Sequence, residues 1–260
     1  MIYIIGLGLG SWVSIPLEGY KIIERVNKIF IERYTSPFDF RELEIQLREE
    51  GKEVIYLNRV DIEDIDRFLH HLSNIRSKDE HVALLTPGDP LIATTHQYLI
   101  KELTSRGFKV KVVHAASILS AAIGESGLHV YKFGPIATVM RSSVAPPTRA
   151  LRVLVENMKR NLHTLLLLEY NFEENYIMTP YEGMSILDEF RKRLKINEIC
   201  DDTYVIAISK LGEEGERKIL FKWNDYHKII DVQGPAVLII PAKLHFTEHE
   251  YIMEVLERIE

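Results

Sequence analysis

The chain has 260 residues, 46% of them hydrophobic and 27% charged, and 32 Lys and Arg against 38 Asp and Glu leave a formal charge of −6. That composition excludes fibrous, low-complexity and disordered classes, and the acidic balance gives the whole molecule no electrostatic footprint for nucleic acid or an anionic membrane. The single Cys200 cannot form an internal disulfide and no zinc-ligand spacing is present, which points to a reducing compartment.

Ile2–Ile5 reads as a buried strand ending at Gly6, and this apolar run without a basic flank is too short for a signal peptide. A helix follows over Pro16–Asn27, with Leu17, Tyr20 and Ile23 on its apolar face and Pro16 at its first turn. Strands are predicted at Lys28–Ile31, Val54–Leu57, Val82–Leu85 and Val110–Val113, with a helix over Thr94–Ser105 whose stripe is Tyr98, Leu99 and Leu103 and whose stop is Gly107. Short aliphatic runs alternating with amphipathic segments predict βαβ units and a parallel sheet. Beyond about residue 115 the texture changes. Strand-like runs at Ile136–Met140, Thr164–Leu168, Tyr204–Ile208, Lys218–Lys222 and Val237–Ile240 predict a mixed sheet, with helices over Thr148–Arg160, Gly183–Leu194 and Glu248–Ile259. Pro146-Pro147 reads as a rigid entry to the first of these. The expected domains are therefore residues 1–115 and 116–260, both α/β. No aliphatic run approaches the ~20 residues of a bilayer span, so a soluble, cytoplasmic protein is expected.

Three strand ends in the first half deliver small or polar loops. Gly6-Leu7-Gly8-Leu9-Gly10 lacks the Cβ atoms that would keep a ligand from the backbone. It misses the dinucleotide fingerprint because Ser11 stands at the last glycine position, yet Glu32 falls where a ribose-binding acid would. A nicotinamide-dependent oxidoreductase and a plain tight turn both remain open at this point. Thr86–His96 carries Pro87-Gly88-Asp89-Pro90 into a helix, and Asp89 or Thr94 is placed to cap that helix. The loop leaves the carboxyl end of a parallel strand, where open α/β sheets bind ligands. At the third end, His114–Ala122, Ser117 offers a hydroxyl and Ile118 an apolar wall, although an alanine-rich helix alone would account for the same residues. His70 and His71 end a charged helix, and His245 and His249 stand four apart without a third ligand. Lys159-Arg160 and Arg191–Arg193 read as solvated helix ends, and Cys200 as a small buried or half-buried side chain.

The strings Ile4-Ile5-Gly6-Leu7-Gly8-Leu9, Glu32–Ser36 and Gly88-Asp89-Pro90-Leu91-Ile92-Ala93-Thr94-Thr95-His96, continuing through His114–Ile118, Gly127–Gly134, Leu162–Leu166 and Gly234–His245, resemble the diphthine synthase family in order along nearly the whole chain. The glycine turn is shared with the wider tetrapyrrole methylase class. The resemblance implies a two-domain tetrapyrrole methylase-like fold, with a parallel-sheet N-terminal domain, a mixed-sheet C-terminal domain and S-adenosylmethionine in the cleft between them. It implies a homodimer that methylates, repeatedly, the amino group of the 3-amino-3-carboxypropyl-histidine of translation elongation factor 2, giving diphthine. Cofactor contacts carried over by the resemblance are Leu9, Asp89, Ile92, Ser117, Ile118, Leu168, Ser209 and Ala236. The chain departs from the family pattern at Arg141–Arg149, where the family has a tryptophan and a tyrosine-aspartate pair. It also departs at Ser209-Lys210-Leu211-Gly212, where the family has Ala-Arg-Ala-Gly, and near Ala236, where a common histidine is missing. A protein substrate makes Lys132, Arg141 and Arg149 candidate docking residues. The competing expectations are an NAD(P)-dependent oxidoreductase and a noncatalytic cofactor-binding module of the same fold.

Overall fold

A computed structural model describes residues 1–72 and 81–259, which divide into two compact units, Met1–Ile118 and Leu119–Glu260. The first unit runs β1 (Ile2–Gly6), α1 (Leu17–Arg25), β2 (Lys28–Glu32), α2 (Arg41–Glu49), β3 (Glu53–Leu57), α3 (Arg59–Glu63), α4 (Ile65–Leu72), β4 (Val82–Thr86), α5 (His96–Ser105) and β5 (Val110–Val113). Its five strands pair in parallel in the order β3-β2-β4-β1-β5.

The near-continuous apolar runs of β1, β2 and β4 follow from helices covering both faces of a parallel sheet. Side chains alternate across the pleat: Ile5, Ile29, Ile31 and Leu85 pack with Ile23, Leu43 and Leu47 on one face. Ile4, Phe30 and Leu84 pack with Phe68, Leu99 and Leu103 on the other. Two helix faces differ from the sequence expectation. Leu17 is exposed at the first residue of α1, where Gly19 and Ile23 face inward, and on α5 the buried positions are His96, Leu99 and Leu103 while Tyr98 is exposed.

α6 (Ile118–Glu125) begins on the last residue of the first unit, and the second unit continues with β6 (Ala137–Val139), α7 (Thr148–Lys159), β7 (Thr164–Leu168), the hairpin β8 (Tyr170–Asn171) and β9 (Tyr176–Ile177), α8 (Pro180–Arg193), β10 (Tyr204–Ser209), β11 (Arg217–Lys222), β12 (Ala236–Ile240), α9 (Phe246–Glu254) and β13 (Glu257–Arg258). Its sheet has the order β13-β11-β10-β12-β7-β6, parallel at β13/β11 and β7/β6 and antiparallel elsewhere. Pro147 stands immediately before the first residue of α7, and α8 opens with Pro180 after Thr179, whose Oγ1 accepts from the Glu182 N–H at 3.2 Å. The core joins Leu151 and Leu154 of α7, Leu187 of α8, Leu166, Ala207 and Leu238 of the sheet, and Trp223, whose indole N–H donates to Asp188 Oδ1 at 2.9 Å.

The helix expected over Glu248–Ile259 ends at Glu254, because Glu257 and Arg258 add a parallel strand beside Ile219 and Leu220. Arg191 is buried and binds Asp188, Asp201 and the Ile199 carbonyl, so it is not a solvated helix end. Cys200 is exposed rather than buried. Among the described residues, no helix is long and apolar enough to cross a membrane.

Candidate functional site

Because β4, β1 and β5 are parallel neighbours, Thr86, Gly6 and Val113 end at one edge of the sheet and their loops leave side by side. The first two loops are joined backbone to backbone: Gly8 N donates to Gly88 O at 3.2 Å and Gly88 N donates to Gly8 O at 2.9 Å. Glycine is required twice over at this junction. Gly8 and Gly88 have φ of +76° and +65°, and a Cβ on Gly6 would lie 2.6 Å from Gly88 O and 2.7 Å from Ala115 Cβ. No atom lies within 4 Å of where a Gly88 Cβ would be, so the turn presents bare backbone.

Asp89 does not cap α5, contrary to one sequence expectation. Its buried carboxylate ties the second loop to the third: Oδ1 accepts from Leu91 N at 2.9 Å, and Oδ2 accepts from Ala115 N at 3.2 Å and lies 2.9 Å from His114 Nδ1. Thr94 is not the cap either, since its hydroxyl donates to the Pro90 carbonyl, and α5 starts after Thr95 without a side-chain cap. Beyond Asp89, Ser117 is buried at the start of α6, Leu9 and Ile118 are half-buried, and Ile92 is exposed. The loops thus bring Leu9, Asp89, Ile92, Ser117 and Ile118 to one end of the first unit.

Glu32 has no part in ribose recognition. Its carboxylate is fully buried, accepts from Thr35 N and Thr35 Oγ1, and lies 3.0 Å from His96 Nε2 without hydrogen-bond alignment. His96 Nδ1 lies 2.7 Å from the Pro90 carbonyl, an acceptor only, so Nδ1 carries the proton. This buried pair braces the Pro90–His96 loop from beneath. At the same edge, Thr86 Oγ1 is buried and has no hydrogen-bond partner among the described residues, a polar atom that a bound group can satisfy. Bare glycine backbone, a fixed acidic clamp and an unpaired hydroxyl suit a group with both flat apolar and hydrogen-bonding parts, as a nucleoside has.

In the second unit, Ser209 ends β10 and pairs with Ala236 at the start of β12, while Leu168 ends β7 one residue past Leu167, the partner of Val237. These three residues lie at one edge of their own sheet. The Ser209 hydroxyl is committed to the Gln233 carbonyl. Two surface grooves in this unit border Tyr204, at the other end of β10, and lie apart from that edge.

Two candidate docking residues are tied internally. Lys132 donates to Glu248 Oε2 at 2.5 Å and to the Lys243 carbonyl at 2.9 Å. Arg141 grips Glu169, pairs with Glu174 and lies 3.9 Å over the Tyr176 ring. Their charges are matched inside the fold, and Arg149 is the member of the trio that stands exposed. His245 sits at the N-cap of α9, where its Nδ1 accepts from Thr247 N.

Sequence reasoning gave Glu248 no role, yet it is the hub of the second unit. Its buried carboxylate also accepts from His245 N at 2.7 Å, His129 N at 2.8 Å and His163 Nε2 at 2.9 Å. Burial raises the pKa of this carboxyl, but those donors outweigh it and hold it at about 2. His163 is pushed below its ordinary value, chiefly by burial against the pull of Glu248. Ala242 N donates to its Nδ1 at 3.0 Å, which fixes the proton on Nε2. The available sequence signal was His245-x-x-Glu248, a capping-box spacing with an atypical first residue.

The tetrapyrrole (corrin/porphyrin) methylase family model matches residues 1–223. A diphthine synthase of Methanothermobacter thermautotrophicus is 35% identical over 259 residues, covering 98% of this chain and 95% of its own. One from Methanocaldococcus jannaschii is 32% identical over 263 residues, covering all of both chains. A crystal structure of a diphthine synthase superposes with a TM-score of 0.84 at 30% identity, covering 99% of this chain and 96% of that one.

Proposed function

Because the chain belongs to the diphthine synthase family, within the tetrapyrrole methylases, and is a methyltransferase, we propose that it repeatedly methylates the amino group of the 3-amino-3-carboxypropyl-histidine of translation elongation factor 2 to give diphthine. S-adenosylmethionine is the donor and S-adenosylhomocysteine the product. The residues proposed to contact it are Leu9, Asp89, Ile92, Ser117, Ile118, Leu168, Ser209 and Ala236. The enzyme works in the cytoplasm as a homodimer, and Arg149 helps to dock the protein substrate.

The observation that carries this reading is the clamp at the sheet edge, where Gly8 and Gly88 bond reciprocally and Asp89 binds the loop after β5. When bound, the donor supplies a methyl group on a cationic sulfur that departs as a neutral thioether, so no general acid is required. The chain's task is then position. Gly6, Gly8 and Gly88 let backbone approach closely, Asp89 fixes the spacing of two loops, and Leu9, Ile92 and Ile118 supply apolar surface beside them. Holding nucleophile and methyl in line supplies much of the rate in such a site without a catalytic triad.

Incubation with unmethylated, aminocarboxypropylated elongation factor 2 and radiolabelled S-adenosylmethionine is expected to add label to the factor, with mass gains of whole methyl groups. Bound cofactor without transfer would show a noncatalytic module instead, and neither binding nor transfer would overturn the reading. Asp89→Ala unclamps the two loops and is expected to weaken S-adenosylhomocysteine binding about tenfold or more, since each hydrogen bond to a charged group contributes roughly 1.5–3 kcal/mol. Unchanged affinity by calorimetry would remove Asp89 from the site.

A further inference from the structure

Methylation of an amine requires a proton acceptor, and the same clamp contains one. We propose that His114 is the general base, its Nε2 removing the proton from the acceptor amine while Asp89 holds the ring; this rests on the methyltransferase reading above. Asp89 is buried and its carboxylate is fixed by the N–H groups of Leu91 and Ala115. His114 Nδ1 lies 2.9 Å from Asp89 Oδ2 while the side chain is 67% exposed, so the pairing nitrogen is anchored and the rest of the ring is open. A carboxylate accepts only, so Nδ1 carries the hydrogen and the lone pair falls on Nε2, which makes no hydrogen bond to the described residues. A carboxylate that selects the tautomer and orients the ring is the arrangement by which histidine serves as a base near neutral pH.

Location supports the role. Ala115, the next residue, is the side chain against which a Cβ on Gly6 would collide, so His114 leaves the sheet directly beside the glycine junction. Lys111, on the same strand, is turned to Glu18, and Asp89 is the charged group in contact with the ring. In the step, an N–H bond of the substrate ammonium breaks and its proton passes to Nε2. The nitrogen lone pair then forms the N–C bond as the methyl–sulfur bond breaks, its electron pair remaining on sulfur. The proton leaves His114 to solvent before the next round.

His114→Asn keeps a donor for Asp89 and removes Nε2. It is expected to lower kcat for methyl transfer about 10²- to 10⁴-fold at pH 7, with S-adenosylhomocysteine affinity unchanged and the deficit shrinking at alkaline pH, where the amine loses its proton unaided. Nitrogen-15 NMR of the protein without substrate is expected to show His114 as the Nδ1–H tautomer, and Asp89→Asn to lose that preference. A His114→Asn enzyme with wild-type kcat at pH 7, a parallel loss of cofactor affinity, or the Nε2–H tautomer in the wild type would each overturn the assignment while wild-type transfer still upheld the methyltransferase reading. Absence of transfer by the wild type would overturn both.

Discussion

Replacing Glu248 by alanine is expected to destabilise the C-terminal unit by about 3–5 kcal/mol, the range for removing one partner of a buried ionic cluster. The carboxylate is fully buried and receives Lys132, His163 and two backbone N–H groups, so its loss takes the acceptor from the buried imidazole N–H and from both backbone donors, and leaves the Lys132 ammonium with the Lys243 carbonyl but no counter-charge there. Denaturant unfolding followed by the fluorescence of Trp223, which is buried in this unit, measures the loss; a change below about 1 kcal/mol would contradict the hub role. The pH dependence has a defined sign. His163 and Glu248 both have depressed values in the fold, so their stabilisation is present above 6.5 and 4.5 respectively. It is lost on acidification, first as pH falls below 6.5 through the folded value of His163, then between 4.5 and about 2 as Glu248 takes up its proton. In Glu248→Ala the second of these losses is expected to vanish.

The second large effect is expected from Gly6→Ala. The added methyl would stand 2.6 Å from the Gly88 carbonyl oxygen, 2.7 Å from Ala115 Cβ and 2.9 Å from Pro90 Cδ, atoms of backbone and short or ring side chains that have no alternative rotamer to adopt. The tip of β1 must therefore separate from both neighbouring loops. Overpacking of this kind costs about 1–3 kcal/mol in stability. S-adenosylhomocysteine affinity is expected to fall about 100-fold, an effect of about 2.7 kcal/mol. Gly51→Ala is the control: its φ of +76° carries backbone strain, but its Cβ would meet open space, and binding is expected to stay unchanged. Equal affinities for Gly6→Ala and wild type, by calorimetry, would show that the junction does not shape the site.

The parallel sheet was readable because strands covered on both faces advertise themselves as unbroken aliphatic runs: Val82–Leu85 was expected and Val82–Thr86 is observed. α2 carries a weak sequence signature because it turns only Leu43 and Leu47 fully inward within a segment of alternating charge, with Ile45 on the outside. The C-terminal helix is shorter than its sequence pattern implies because pairing with β11 overrides local propensity at Glu257 and Arg258, a tertiary effect with no local signature. At the site, glycine spacing and strand-end position identified the loops, whereas partnerships across long sequence separations were invisible. Asp89 looked like a cap until His114 and Ala115 came beside it, 25 and 26 residues on. Lys132 looked like a free cation because Glu248 stands 116 residues away.

The reciprocal bonds between Gly8 and Gly88 make the two turns a single mechanical part. An inserted or deleted residue in either turn would displace the N–H and C=O groups that the other must meet, so their lengths cannot drift separately.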